Sequence, residues 1–283
     1  MKKSINAWAL PGGTELGRAF EMVAECGFEG IEINFVDEPD RRGVMPGAIG
    51  ELSVWLDEKY LLKVREMAEA RGLRITSAST GMFWASQMSN PDPAHRAHAV
   101  ALAEQMIRCC AAVGGDTVLI VPGCVDDSTS YAEAYDNALQ SMRKVRRTAE
   151  EYKINACVEN VWNKFLLSPL EMRDFVDKVG GEYVGAYFDI GNVVVNSYPE
   201  YWIDILGGRI RKLHAKDFKR SVGNGNGFCN LLEGDVRWDR VMASLENIGY
   251  DGYIAPEYGA NETDPYEPLR YNSAALDKIF GMK

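Results

Sequence analysis

Histidine is scarce in this chain: its 283 residues include three, His95, His98 and His214. That is too few for a histidine-rich multi-zinc centre, so a metal held here must lean on carboxylate oxygens. Positive charge is also in deficit. Lysine and arginine total 31 against 41 acidic residues, a formal net charge of −10. Such a balance argues against general affinity for nucleic acid or for an anionic membrane. A run of about 18 apolar residues, the minimum for a spanning helix, is missing. The opening MKKSINAWALPGG holds too brief an apolar stretch for a secretion signal. The six cysteines, Cys26, Cys109, Cys110, Cys124, Cys157 and Cys229, form no CxxC pair. In a chain of this length they read as reduced core thiols of a cytoplasmic protein. Low-complexity sequence is absent too.

What is present is a rhythm of short apolar run, turn and helical pattern, with enough apolar residues (46%) for a sizeable core. Strands are predicted at 5–10, 30–35, 74–79, 117–121, 154–159, 184–189, 210–216 and 253–257. Helices are predicted at 14–26, 57–71, 94–113, 131–152, 168–179, 199–206, 238–247 and 266–280. Several carry start and stop signals: Thr14 as an N-cap, Gly27 as a C-cap, and Ser168 followed by Pro169 and Glu171. A Pro/Gly-rich loop at 37–50 is long enough to be functional. Eight strands alternating with eight helices, without a linker or a shift in composition, predict an α/β fold: one (β/α)8 TIM barrel spanning 1–283.

Four of these strands end in a side chain that can bind metal. INACVEN carries Glu159, VGAYFDIGN carries Asp189, IRKLHAKD carries His214, and YIAPEYG carries Glu257. Taken singly, each has a plain explanation. A strand-end glutamate can simply reach solvent, DIGN can be an aspartate-stabilised turn, and a lone strand histidine can be a satisfied core residue. Taken together they fall one per β/α unit, 30, 25 and 43 residues apart, on the last four strands. A barrel aims the C-terminal ends of neighbouring strands at one point. Three carboxylates and one imidazole there make a ligand set for one divalent ion, with Mn²⁺ expected ahead of Mg²⁺, Co²⁺ or Zn²⁺. Asn192 is placed to hold a substrate hydroxyl. Lys216, Lys219 and Arg220 can form a local anion site. The loop GNGNGF at 223–228 is either a phosphate loop or plain surface. Trp8, Phe83 and Trp84 are candidates for an apolar pocket wall, or for core.

The segments VENVWNKF, FDIGN, KLHAKDF and APEYG resemble those of the xylose-isomerase-like sugar isomerase and epimerase superfamily, nearest the ketose 3-epimerases and the L-ribulose/L-xylulose-5-phosphate 3-epimerases. The similarity covers nearly the whole chain and is strongest over 156–259. It implies a metal held by Glu159, Asp189, His214 and Glu257, with Glu159 and Glu257 doubling as the acid/base pair. Such a pair suits the removal of a proton beside a carbonyl and its return on the opposite face. The resemblance also implies substrate contact by Arg220 and assembly into a homo-oligomer. Free-ketose 3-epimerases tend to carry a histidine where Asn192 stands and a glutamate where Phe165 stands. These departures, with the stretch LLEGDVRW, point toward a phosphorylated substrate.

The function expected from sequence is a metal-dependent sugar or sugar-phosphate epimerase or isomerase: ketose 3-epimerisation, or aldose–ketose isomerisation, through an enediolate. The alternatives are a keto-inositol-type dehydratase on the same scaffold and a catalytically inactive sugar-binding barrel. An endonuclease-IV-like hydrolase is disfavoured by the three histidines and the acidic charge. The expected partner is a small sugar, not nucleic acid or membrane.

Overall fold

A computed structural model describes residues 1–37, 51–259, 261 and 263–282; the predicted loop at 37–50 lies, beyond Asp37, outside the described residues. The strands in chain order are β1 (Lys2–Lys3), β2 (Gly30–Val36), β3 (Glu51–Ser53), β4 (Arg74–Ser79), β5 (Thr117–Ile120), β6 (Asn155–Glu159), β7 (Val184–Asp189), β8 (Ile210–Ala215), β9 (Asp217–Phe218), β10 (Phe228–Cys229) and β11 (Tyr253–Pro256). The helices are α1 (Leu16–Glu25), α2 (Glu58–Glu69), α3 (Pro93–Ala112), α4 (Tyr131–Tyr152), α5 (Pro169–Val179), α6 (Pro199–Leu206), α7 (Trp238–Asn247) and α8 (Tyr266–Phe280). The main sheet runs β1-β11-β8-β7-β6-β5-β4-β2-β3, all parallel. It closes on itself. Past β1 the chain stays extended, Ser4 and Asn6 donate to Ile254 and Pro256 of β11, Glu32 donates to Ile5, and Asn6 bridges Glu32 of β2. The fold is a (β/α)8 barrel, with β3 added outside the ring.

The first strand differs from its sequence reading. The apolar run at 5–10 is buried apart from the half-buried Trp8, but residues Ala7–Ala9 form a 3-10 turn. The Asn6 side chain accepts from Trp8 N and starts that turn, so extended structure ends at residue 6. Helix α1 likewise starts after Glu15, not at Thr14, whose hydroxyl donates to Pro11 O. Elsewhere the caps act as read. Ser168 accepts from Glu171 N, Pro169 opens α5, and Gly27 takes a positive φ.

Helices lie on the barrel through apolar stripes. In α1 the buried Leu16, Ala19, Phe20 and Val23 recur at three- and four-residue spacing. Phe188 of β7 stacks on Trp202 of α6 with ring centroids 5.9 Å apart. Each fully buried large side chain of this kind contributes about 1.5–3 kcal/mol. Among the described residues, no helix is long and apolar enough to cross a membrane.

The inner face of the barrel is more polar than usual. Side chains alternate along a strand, so Lys212 and His214 of β8 are both buried on its inner side, with Lys216 just past its end. Lys212 pairs with Asp116 at 2.9 Å near the bottom. Two register shifts place an extra residue on the partner strand, Thr76 of β4 opposite Ile31/Glu32 and Arg211 of β8 opposite Ala186/Tyr187, and the Glu32 and Tyr187 side chains meet in the interior.

Candidate metal centre

Four side chains converge at the C-terminal mouth. Glu159 ends β6, Asp189 ends β7, His214 lies next to last in β8, and Glu257 follows β11. One ligand atom from each falls within 4.8 Å of all the others. His214 Nδ1 is 3.1 Å from Glu159 Oε1, 3.3 Å from Glu257 Oε2 and 4.0 Å from Asp189 Oδ2. Three largely buried carboxylates, Glu159, Asp189 and Glu257, crowd around one ring nitrogen, with the single ammonium of Lys216 against Asp189 Oδ2 and Glu257 Oε2. Carboxylates held this close repel one another unless positive charge lies among them. Three such oxygens facing a ring nitrogen suit a divalent ion, so the residues fit the metal that their types imply.

Neighbouring residues hold these ligands in place. Asn160 clasps the backbone of Asp189, donating to its O at 2.8 Å and accepting from its N at 2.9 Å. Asp189 Oδ1 accepts from Asn192 N, and the Asn192 amide donates to Asn160 O. Gly191 allows the closeness of β7 and β8. A β-carbon there would lie 2.5 Å from Lys216 Cβ and 2.7 Å from its carbonyl oxygen. Asp217, fully buried, accepts from the backbone N of Phe218, Leu232 and Val236 and from Trp238 Nε1. It pins the segment leading to α7, and Gly234 leaves it room, since a β-carbon there would come within 2.2 Å of Asp217 Oδ1.

Beneath the ligands lies Glu32, fully buried. His214 Nε2 is 2.7 Å from Glu32 Oε1, which also accepts from Asn6 Nδ2; Glu32 Oε2 accepts from Ser77 Oγ at 2.6 Å and from the Tyr187 hydroxyl. This leaves Nδ1 of His214 for the metal, the usual carboxylate–histidine–metal arrangement. Burial pushes Glu32 upward, but the His214 charge and the bonds from His214, Ser77 and Tyr187 outweigh it and hold the carboxyl at about 2. For His214, burial disfavours the charged ring, but Glu32 and Glu257, with the bonds to Glu159 and Glu32, raise it well above its ordinary value. Lys216 Nζ is 2.6 Å from Glu257 Oε2 and 2.9 Å from Asp189 Oδ2. Burial works against the Lys216 charge, and Asp189, Glu257 and Glu159 more than restore it.

Burial pushes Glu159 up to about 7, against the opposing pull of His214. This gives a signed expectation. A raised carboxyl favours the metal-free fold when protonated, so its contribution is full below pH 4.5 and is lost as pH rises through about 7. A divalent ion needs the carboxylate and a neutral His214 Nδ1. The rise in Tm on adding Mn²⁺ should therefore be larger at pH 8 than at pH 5, read by scanning calorimetry. Calorimetric titration at pH 7 in two buffers of different ionisation enthalpy should show about one proton released per ion.

Two of the four candidate ligands, Glu159 and Glu257, form part of a cleft of about 230 Å³. Trp8, Trp84, Asn192 and Lys216 line it, as do Trp162 and Phe228. Phe83 is fully buried in the core and is not on this wall. Arg220 is not on it either. Its guanidinium donates to Ser197 O at 2.9 Å and lies 4.2 Å from the centre of the Tyr198 ring. The loop at 223–228 carries a 3-10 turn at Gly225–Gly227 and lies between the paired strands β9 and β10. Sequence reasoning passed over Glu32, Asn160, Asp217 and Trp162. For Glu32 a signal existed: in IEINF two polar residues at i and i+2 interrupt an otherwise apolar strand.

A parallel barrel with three carboxylates and a histidine that could hold a metal ion at its C-terminal mouth defines a class of TIM-barrel protein. The sequence profile of the Xylose isomerase-like TIM barrel family matches residues 20–278, and the chain belongs to that family. The uncharacterized protein MJ1311 of Methanocaldococcus jannaschii is 27% identical over 150 residues, covering 50% of each chain, so the match spans about half of that curated relative. Solved structures share the fold. D-psicose 3-epimerase of Clostridium cellulolyticum H10, with D-tagatose, superposes with a TM-score of 0.79 at 19% identity, covering 100% of this chain and 99% of that one. The IOLI protein with a binding zinc atom superposes with a TM-score of 0.81 at 15% identity, covering 99% and 98%.

Proposed function

We propose that the chain is a metal-dependent sugar or sugar-phosphate epimerase or isomerase that moves a proton beside a carbonyl. The observation that carries this reading is the placement of Glu159 and Glu257. Both are largely buried, both reach the same ring nitrogen, and they come from strands three positions apart in the barrel. Two carboxylates approaching one point from different sides suit removal and return of a proton on opposite faces of a substrate carbon. Burial sets Glu159 near neutrality, where a carboxyl can both accept and donate. The family and the sugar bound in the D-psicose 3-epimerase structure support the same class.

Glu159, Asp189, His214 and Glu257 would hold one divalent ion, with Mn²⁺ the preferred candidate. Once bound, the ion supplies Lewis acidity to the carbonyl and its neighbouring oxygen. Glu159 and Glu257 exchange the proton. Lys216, between Asp189 and Glu257, offers an ammonium to the negative charge that develops on the enediolate. Asn192 faces the cleft and holds a hydroxyl through its remaining oxygen. Trp8 and Trp84 cover the apolar face of the ring. Arg220, engaged with Ser197 and Tyr198, secures the loop beside the cleft.

The test is NMR-detected deuterium exchange in D₂O with Mn²⁺ and a panel of ketopentoses, ketohexoses and their phosphates. Exchange at C3 is expected. Exchange confined to C1 would make the reaction an aldose–ketose isomerisation. Loss of water from a keto-inositol, or no exchange at all with metal bound, would overturn the proposal.

A further inference from the structure

A second cleft, of about 300 Å³, adjoins the metal cleft and shares Val161, Trp162 and Asn192 with it. Trp162 is the partition: its Nε1 donates to Asn192 O at 2.8 Å. The far side is apolar, with Phe165, Leu167, Val193, Val195 and Trp202 on its walls. Among the described lining residues its only charged group is the exposed Lys164. None of the apolar residues on this far side is among the candidate metal ligands or the proposed acid/base pair.

The wall is built rather than incidental. Lys164 and Leu166 both take left-handed backbone conformations, φ +59 and +52, two of the four such non-glycine residues among those described. Left-handed backbone is unfavourable for side chains with a β-carbon and persists where the surroundings enforce it. Here they do. Asn163 Nδ2 donates to Gly123 O and Asn163 O accepts from Val125 N, while Leu166 N donates to the Tyr131 hydroxyl and Leu167 N to Glu171 Oε2. The result is a rigid concave face holding partly exposed apolar side chains, Leu167 (59%) and Trp162 (41%), against the partition.

We propose that this cleft is a subsite for an apolar arm of the substrate: the sugar that sits over the metal carries, at the end away from its reacting carbons, a short acyl or aryl group that passes Trp162. This rests on the sugar reading above and narrows its substrate class. A distal phosphate would meet one exposed ammonium and a hydrophobic wall, whereas an alkyl chain gains with each methylene it buries there.

Calorimetric titration of the Mn²⁺-loaded protein provides the test, with D-fructose, D-tagatose, L-sorbose and D-allulose as free sugars, as 6-phosphates and as 6-O-hexanoyl esters. For the ketose that binds, the ester is expected to bind at least about tenfold more tightly than the parent. Leu167→Asp and Val195→Asp, both on this wall alone, should each remove most of that advantage. Circular dichroism of both variants confirms that they fold. Equal affinity of ester and parent, tighter binding of the 6-phosphate, or an ester advantage that survives both substitutions would overturn the subsite and leave the sugar reading intact. Binding of none of the twelve compounds would overturn the two together.

Discussion

Glu257→Gln should lower the rate of substrate proton exchange by about 10²–10⁴, the usual contribution of a positioned acid or base. Glutamine keeps the shape and one neutral oxygen for the metal but cannot take a proton. The side chain is partly shielded, 11% exposed, with Oε2 3.3 Å from His214 Nδ1 and 2.6 Å from Lys216 Nζ. Its loss therefore also removes charge from the metal site. Asp189→Asn separates the two effects. Asp189 is fully buried, its Oδ1 is engaged by Asn192 N, and its position is fixed by Asn160. It lies beside the metal but has no proton to move. At saturating Mn²⁺, with occupancy checked by electron paramagnetic resonance, Asp189→Asn should recover much of its exchange rate and Glu257→Gln should not. Equal recovery would mean that Glu257 serves as a ligand alone.

Glu32→Gln should weaken Mn²⁺ binding by about 10- to 100-fold, although Glu32 touches no metal. The carboxylate accepts from four donors, on β1's continuation, β4, β7 and β8. An amide in its place points two hydrogens at groups that are themselves donating. His214 then loses the acceptor that fixes its tautomer. Breaking a buried charged pair on one side costs about 3–5 kcal/mol, and in a chain of this size each kcal/mol shifts Tm by roughly 2–4 °C. Thermal denaturation of the metal-free variant should show a fall on the order of 10 °C. The acid limb should change too. Glu32 is held at about 2, below its ordinary 4.5, so its contribution is present above pH 4.5 and lost as pH falls toward 2. The variant should show a shallower loss of stability across that window. Unchanged metal affinity would remove Glu32 from the metal site and leave it a core residue.

The contrast between Glu257 and Glu32 shows how far the sequence could be read. Glu257, Glu159, Asp189 and His214 stood out because each ends an apolar run and their spacing matches the β/α repeat. The fold was legible for the same reason: alternation and caps are local signals, and tertiary contacts did not override them. Glu32 sits inside a strand, 182 residues from His214, and its meaning depends on a partner that only barrel closure supplies. Asp217 and Asn160 are similar; each bonds to backbone atoms of other segments, Leu232 and Val236 for Asp217 and Asp189 for Asn160, which leave no mark in composition. The first strand was misplaced because a single Asn6–Trp8 hydrogen bond ended it early. Arg220 is a candidate from its position in sequence alone, and its guanidinium is engaged at 2.9 Å by the Ser197 carbonyl.

The short extended stretch at residues 2–6 joins β11 to β2, and through Asn6 it also supports Glu32. Partners some 250 positions apart must meet before the ring is complete. Contacts of such long sequence separation are slow to form, because the intervening chain must be ordered first. The carboxylate that orients His214 thus gains its Asn6 contact only in the step that seals the barrel. High-affinity ion uptake then reports the end of refolding, not its beginning, and a chain whose first strand has not docked is left with a loosened imidazole as well as an open seam.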